Sequence, residues 1–176
     1  ELKTYTVTFS AGDNGAITSG DAVQTVTYGE SAVEPTVTPN EAYNFTGWDV
    51  DFSNVTSDLT VTAQYELKTY TVTFSAGDNG QVTDGDAVQT VEYGGDAAAP
   101  TVTPDTGYVF NGWDGQYTNV TSDRTVTAVY DDQMFTVTFD AGDNGAITSG
   151  DAVQEVAYQG SAQEPIVEAG EGWVCT

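Results

Sequence analysis

The chain has 176 residues, carries 27 Asp and Glu against three Lys and Arg, lacks histidine, and has a net charge of −24. A surface of that sign repels phosphate backbones and anionic headgroups, which argues against nucleic-acid binding and against membrane-surface binding. At 39% hydrophobic and 11% aromatic residues, the chain is also too apolar for a disordered acidic tail.

Tyr5, Val7 and Phe9 alternate with Thr6 and Thr8. This period of two in aromatic and β-branched residues predicts a half-buried strand. Gly12-Asp13-Asn14-Gly15 is turn chemistry, and Ser19-Gly20-Asp21 is a second turn-like cluster. A strand over 22–28 follows, with Gln24, Val26 and Tyr28 on one face. The two strands are expected to form a hairpin with a loosely structured tip across 13–21. Residues 29–35 have room for one helical turn but not for a helix, and Pro35 and Pro39 mark an extended connector. In 43–48, Tyr43 and Phe45 alternate, then Gly47 breaks the phase and lets Trp48 turn inward, as at a bulge. Residues 51–58 read as loop and 59–65 as a closing strand.

The whole pattern recurs. Tyr5, Tyr70 and Phe135 open the three copies, each 65 positions after the last. Such a strict period marks a tandem array, with modules at 1–65, 66–130 and, incomplete, 131–176. Aromatic and β-branched positions hold between copies while the expected loops drift. In the third copy Trp173 takes the place of Tyr43 and Cys175 that of Phe45, and the closing strand is not reached. The single cysteine excludes an internal disulfide, and no apolar run is long enough to span a bilayer as a helix. The chain carries no signal peptide and reads as an excerpt of a longer protein whose export and anchoring signals lie elsewhere.

Glu34-Pro35, Pro39, Tyr43, Phe45, Gly47-Trp48 and the strand 61–65, behind the opening Tyr-x-Val-x-Phe, resemble a known family. So do Pro100, Pro104, Tyr108, Phe110, Gly112-Trp113 and 126–130. This is the Listeria–Bacteroides repeat, the B-repeat of internalin B and of many large bacterial surface proteins. The resemblance covers nearly the whole chain. It implies a mostly β chain of tandem β-grasp, ubiquitin-like modules. Each would be a four-stranded mixed sheet, with its first and last strands parallel at the centre. Parallel strands place a module's two ends on opposite sides, so short links such as 66–69 would string the modules into a head-to-tail, semi-rigid rod.

No enzymatic constellation is visible. Without histidine the commonest general base is missing, and Cys175 has no activating partner. Carboxylate pairs such as Asp49 and Asp51 fall in variable loops, as chance pairs do in so acidic a chain. The expected protein is not an enzyme and needs no cofactor, with weak Ca²⁺ binding as the one metal alternative. Asp13, Asn14 and Asp21, then Asp78, Asp84 and Asp86, then Asp143, Asn144 and Asp151 bracket the three hairpin tips. Oxygen ligands clustered on a loop suit Ca²⁺, but the same residues are also ordinary turn and strand-entry residues. The recurring aromatics read as core rather than as a sugar-binding face. Asn44, Asn54 and Asn119 sit in short glycosylation-type sequons, a pattern weakened by the abundance of threonine.

The expected function is that of a structural spacer or stalk in an extracellular or cell-surface bacterial adhesin or filament protein. The alternative is a protein- or glycan-binding module. In that reading the incomplete third module assembles by accepting a strand from a neighbour. Expected partners are neighbouring modules, copies of the same protein or a host or cell-surface ligand. Nucleic acid and membrane insertion by this segment are not expected.

Overall fold

The computed structural model describes residues 1–174, and among them every regular element is a strand. By internal contacts the chain forms two compact units. One holds 1–72 with 89–97 and 117–124; the other holds 73–88, 98–116 and 125–174 of the described residues.

In the first unit, β1 (Thr4–Ser10), β3 (Val23–Thr27), β5 (Tyr43–Trp48) and β6 (Leu59–Leu67) form a sheet of order β3-β1-β6-β5. β3 pairs antiparallel to β1, with Tyr5 opposite Val26. β1 and β6 run parallel at the centre, with Val7 opposite Leu59 and Phe9 opposite Val61. β5 closes the far edge antiparallel to β6, and the register shifts between Phe45 and Gly47. Gly47 has φ of 134°, a conformation that side chains resist. The bulge expected at this glycine is therefore present. It lets Trp48 meet Phe9 edge-on, with ring centroids 5.0 Å apart.

Two expectations need correction. The tip over 13–21 is not loose: β2 (Gly15–Ser19) runs through it. The Pro35–Pro39 connector is not merely extended, because β4 (Thr36–Pro39) pairs antiparallel with β2, Ile17 opposite Val37. Residues 29–35 take up no helical turn. Their backbone is instead held by the loop before β6. Val55 N–H donates to Glu30 O at 2.9 Å, Gly29 N–H to Val55 O at 2.8 Å, and Ala32 N–H to Phe52 O at 3.0 Å.

The core is aliphatic at its centre. Val7, Val55 and Val61 are fully buried, with Phe9, Val26 and Ala32 beside them. Tyr5, Ile17, Trp48, Phe52 and Leu59 are half-buried around this nucleus. The aromatics read as core are placed there: Phe9 is buried within the cluster, and Tyr5, Trp48 and Phe52 pack against it. Val72, Val120 and Val126, 65 positions further on, are likewise fully buried.

The later strands repeat the plan. β7 (Thr69–Ser75), β9 (Val88–Glu92), β11 (Tyr108–Asp114) and β12 (Arg124–Asp132) form a sheet of order β11-β12-β7-β9, the first order read from its other edge. β8 (Gly80–Asp84) pairs with β10 (Thr101–Pro104). β11 carries the same register shift, between Phe110 and Gly112. In the last stretch, β13 (Met134–Thr138) pairs antiparallel with β15 (Val153–Ala157), and β14 (Gly145–Ser149) with β16 (Ile166–Ala169). Trp173 N–H donates to Gly170 O at 3.0 Å, as Tyr43 N–H does to Asn40 O, so Trp173 does stand where Tyr43 stands. Cys175 lies outside the described residues.

Candidate functional site

The carboxylates singled out at the hairpin tips are dispersed by the strand that runs through each tip. Asp13 and Asn14 precede β2 and Asp21 follows it, so about 17 Å of extended chain lies between them. The backbone carbonyls of these residues take part in the fold. Asn14 O accepts Asn40 N–H at 2.8 Å, Asp13 O accepts Asn40 Nδ2 at 3.0 Å, and Asp21 O accepts Gln24 Nε2 at 2.9 Å. Asp78 precedes β8, Asp84 is its last residue, and Asp86 follows. Asp143 and Asn144 precede β14 and Asp151 follows it. Asp143 and Asn144 also line an open groove of about 420 Å³ with Glu168, Glu171 and Trp173. Among the described residues, no three Asp, Glu, Cys or His side chains converge as a metal site would require.

Other carboxylates serve the backbone. Asp58 Oδ1 accepts Thr6 N–H at 2.8 Å, which extends the parallel β1–β6 ladder just beyond its first register pair. Asp123 does the same for Thr71 N–H at 2.7 Å. Asp49 Oδ1 accepts Thr62 N–H at 2.6 Å. Asp51 Oδ1 accepts Ser53 N–H at 2.9 Å, and that backbone bond holds its carboxyl below the usual carboxylate range. The carboxylate pair considered for acid–base work thus accepts backbone N–H groups, Asp49 from β6 and Asp51 from its own turn.

Sequence reasoning missed two polar devices. The first is Gln24, whose amide imitates a peptide group: Nε2 donates to Val33 O at 2.6 Å and Oε1 accepts Val33 N–H at 2.8 Å. It pairs both peptide groups of Val33 and so ties the segment between β3 and β4 to a β3 side chain. Gln154 and Gln163 repeat the arrangement at 2.6 and 2.7 Å. The recurrence of glutamine at 24, 89 and 154 was the available signal.

The second device is the junction between successive copies. Lys68 is the only residue between β6 and β7. Its N–H donates to Ala42 O at 2.9 Å, its carbonyl accepts Tyr93 N–H at 2.8 Å, and its Nζ donates to Glu41 O at 2.8 Å. Burial, aided by a hydrogen bond to the Glu41 side chain, pushes the Tyr93 hydroxyl above its ordinary value. Gln133, between β12 and β13, repeats the backbone pattern. Its N–H donates to Gly107 O at 2.7 Å and its carbonyl accepts Tyr158 N–H at 2.8 Å. Here the side chains are shorter. Thr106 stands where Glu41 does, and a cleft of about 580 Å³ opens beside Gly107, Tyr108, Asp132 and Tyr158.

A family profile described as the divergent InlB B-repeat domain matches residues 5–69 and again residues 70–134. The chain belongs to this family. Two relatives of these B-repeats come from Evansella cellulosilytica. One, named "Putative membrane protein", is 26% identical over 98% of this chain, which spans 27% of the relative. The other, named "Putative Gly-rich membrane protein", is 24% identical over 86% of this chain, which spans 19% of it. No solved structure matches. No helix among the described residues is long and apolar enough to cross a membrane. The features that the first two B-repeats share, from buried valines to junction bonds, are ones that hold strands and copies in place.

Proposed function

We propose that this array of B-repeats is a spacer: a stalk segment of a bacterial cell-surface or secreted protein that carries other parts of its polypeptide outward. In this reading each copy is a β-grasp module, the copies follow head to tail as a semi-rigid rod, and the location is extracellular. The observation that carries the proposal is the junction. A single residue separates β6 from β7, and both its peptide groups are bonded to the flanking copies, so little backbone freedom remains for a hinge.

The central parallel pair supports a mechanical role. β1 is the entry strand and β6 the exit strand of the first copy, and they run side by side in the same direction. A pull on the two ends loads the β1–β6 hydrogen bonds in shear, all at once, instead of peeling them singly. The strong acidity keeps such rods soluble and mutually repelling.

Single-molecule stretching tests the proposal. The first two copies should rupture in separate, high-force events, each lengthening the chain by roughly 20 nm, as expected for 65 residues at about 3.6 Å each. One concerted rupture of both copies, or a low-force plateau, would defeat it.

A further inference from the structure

We propose that the cleft between β11–β12 and the turn after β15 binds a neutral oligosaccharide. Its volume of about 580 Å³ falls within the roughly 300–1,000 Å³ range of ligand clefts. Tyr108 and Asp132, register partners at the end of the β11–β12 ladder, form one wall. Tyr158 and Gln159 form the other, and Tyr158 is 40% exposed. Gly107 makes the floor, where a Cβ would sit 2.7 Å from the Tyr158 ring. With φ of 95°, this glycine leaves room for the tyrosine to lie against the backbone.

A second observation is independent of the cleft's shape. Gln159 has φ of 60°, a left-handed conformation, whereas the equivalent positions in the first two copies are Gly29 at 83° and Gly94 at 76°. The third copy tolerates a strained side chain where its siblings use glycine, and that side chain stands on the lip of the cleft. Strain retained at such a place marks a site where the side chain has work to do.

The lining selects the ligand class. Two tyrosine rings offer apolar faces for the C–H surface of a sugar, with hydroxyls at their rims. Asp132 accepts hydrogen bonds, while the Gln159 amide and the Thr106 hydroxyl both donate and accept. A polyhydroxyl compound uses all of these; a quaternary ammonium ion would use the rings and the carboxylate alone. The net charge of −24 repels acidic glycans. In the first copy the longer Glu41 side chain reaches the Tyr93 hydroxyl at the equivalent place, so the opening at Thr106 follows from a side-chain change.

Amide NMR of the full ¹⁵N-labelled chain tests this, titrating chitotriose, cellotriose and maltotriose to about 10 mM, which detects affinities down to the millimolar range. Saturable shifts centred on Gly107, Tyr158 and Gln159 with at least one trisaccharide are expected. Gln159→Gly, which restores the siblings' residue and relieves the strain, should weaken that binding at least about 5-fold without lowering Tm. Thr106→Glu, which restores the first copy's residue, should fill the cleft and abolish the shifts. No shift with any of the three sugars, equal binding by Gln159→Gly, or a response to tetramethylammonium alone would each overturn the proposal.

Discussion

Tyr65 and Tyr130 are equivalent residues in successive copies, yet their hydroxyls are partnered differently. The Tyr65 hydroxyl donates to Ala11 O at 2.7 Å. The Tyr130 hydroxyl is buried and, among the described residues, has no hydrogen-bond partner. Removing the first hydroxyl deletes a neutral hydrogen bond and leaves a carbonyl short of a donor, a loss of about 1 kcal/mol. Removing the second relieves a desolvated group that gains nothing in return, so Tyr130→Phe should be neutral or stabilising by a few tenths of a kcal/mol, on the order of a weak bond's net worth. Global melting blurs the two copies together, so native-state hydrogen exchange read by mass spectrometry is the suitable assay. Tyr65→Phe should lower protection across β1 and β6 by about 5-fold, the equivalent of 1 kcal/mol, and leave β11 and β12 unchanged. Tyr130→Phe should not lower protection in β12. Equal losses for the two variants would show that burial of the ring, and not the fate of the hydroxyl, governs both sites.

The same two hydroxyls set an alkaline limit. Burial raises both above the ordinary tyrosine value of about 10, with Asp105 adding to the effect at Tyr130. The folded state therefore holds these protons longer than the unfolded chain. Their contribution is whole below about pH 10 and is lost as pH rises through the folded values; a Tyr65→Phe/Tyr130→Phe chain should show a shallower fall in urea midpoint across that window. Val55→Ala, which removes two methyl groups from a fully buried site, should cost about 2 kcal/mol, equivalent to about 8–16 °C in Tm for a module of this size, and Val120→Ala should match it. Gln24→Ala should cost about 1 kcal/mol by leaving both Val33 peptide groups without their side-chain partner, and faster amide exchange at Val33 should accompany the loss. Because a strand of about 17 Å separates Asp13 from Asp21, Asp78 from Asp86 and Asp143 from Asp151, millimolar Ca²⁺ should shift Tm no more than Mg²⁺ at equal ionic strength. A Ca²⁺-specific rise, removed by Asp13→Asn or Asp21→Asn, would show that the chain gathers them after all.

What the sequence disclosed follows from how local each feature is. The alternation at Tyr5, Val7 and Phe9 announces a strand by itself, and Gly47 announces a bulge because it breaks a visible alternation. β2 and β4 were hidden because Gly15-Ala-Ile-Thr-Ser offers one large apolar residue, and its partner lies 20 or so positions away with a shifted register. Val55 gave no periodic signal in its short polar loop, though it is the most enclosed residue of that segment. The recurring aromatics were legible as inward-facing, but that Phe9 is buried while Tyr5 and Trp48 are only half-buried was not, since periodicity reports a face and not a depth. The acidic residues at each tip are near in sequence, but β2, β8 and β14 run between them, which turn chemistry alone does not foresee. The junction contacts of Lys68 with Ala42 and Tyr93 join positions 25 or so residues apart on either side, which no local pattern reveals.

The junction also bears on how such an array changes over generations. Lys68 and Gln133 each have both peptide groups committed, one to the preceding copy and one to the next. An inserted or deleted residue there must break at least one of those bonds or be absorbed as a kink. Whole-copy duplication disturbs neither. Under the proposed spacer role, the array would act as a ruler graduated in units of 65 residues: its reach would change by gain or loss of whole copies, one graduation at a time, without redesigning a single joint.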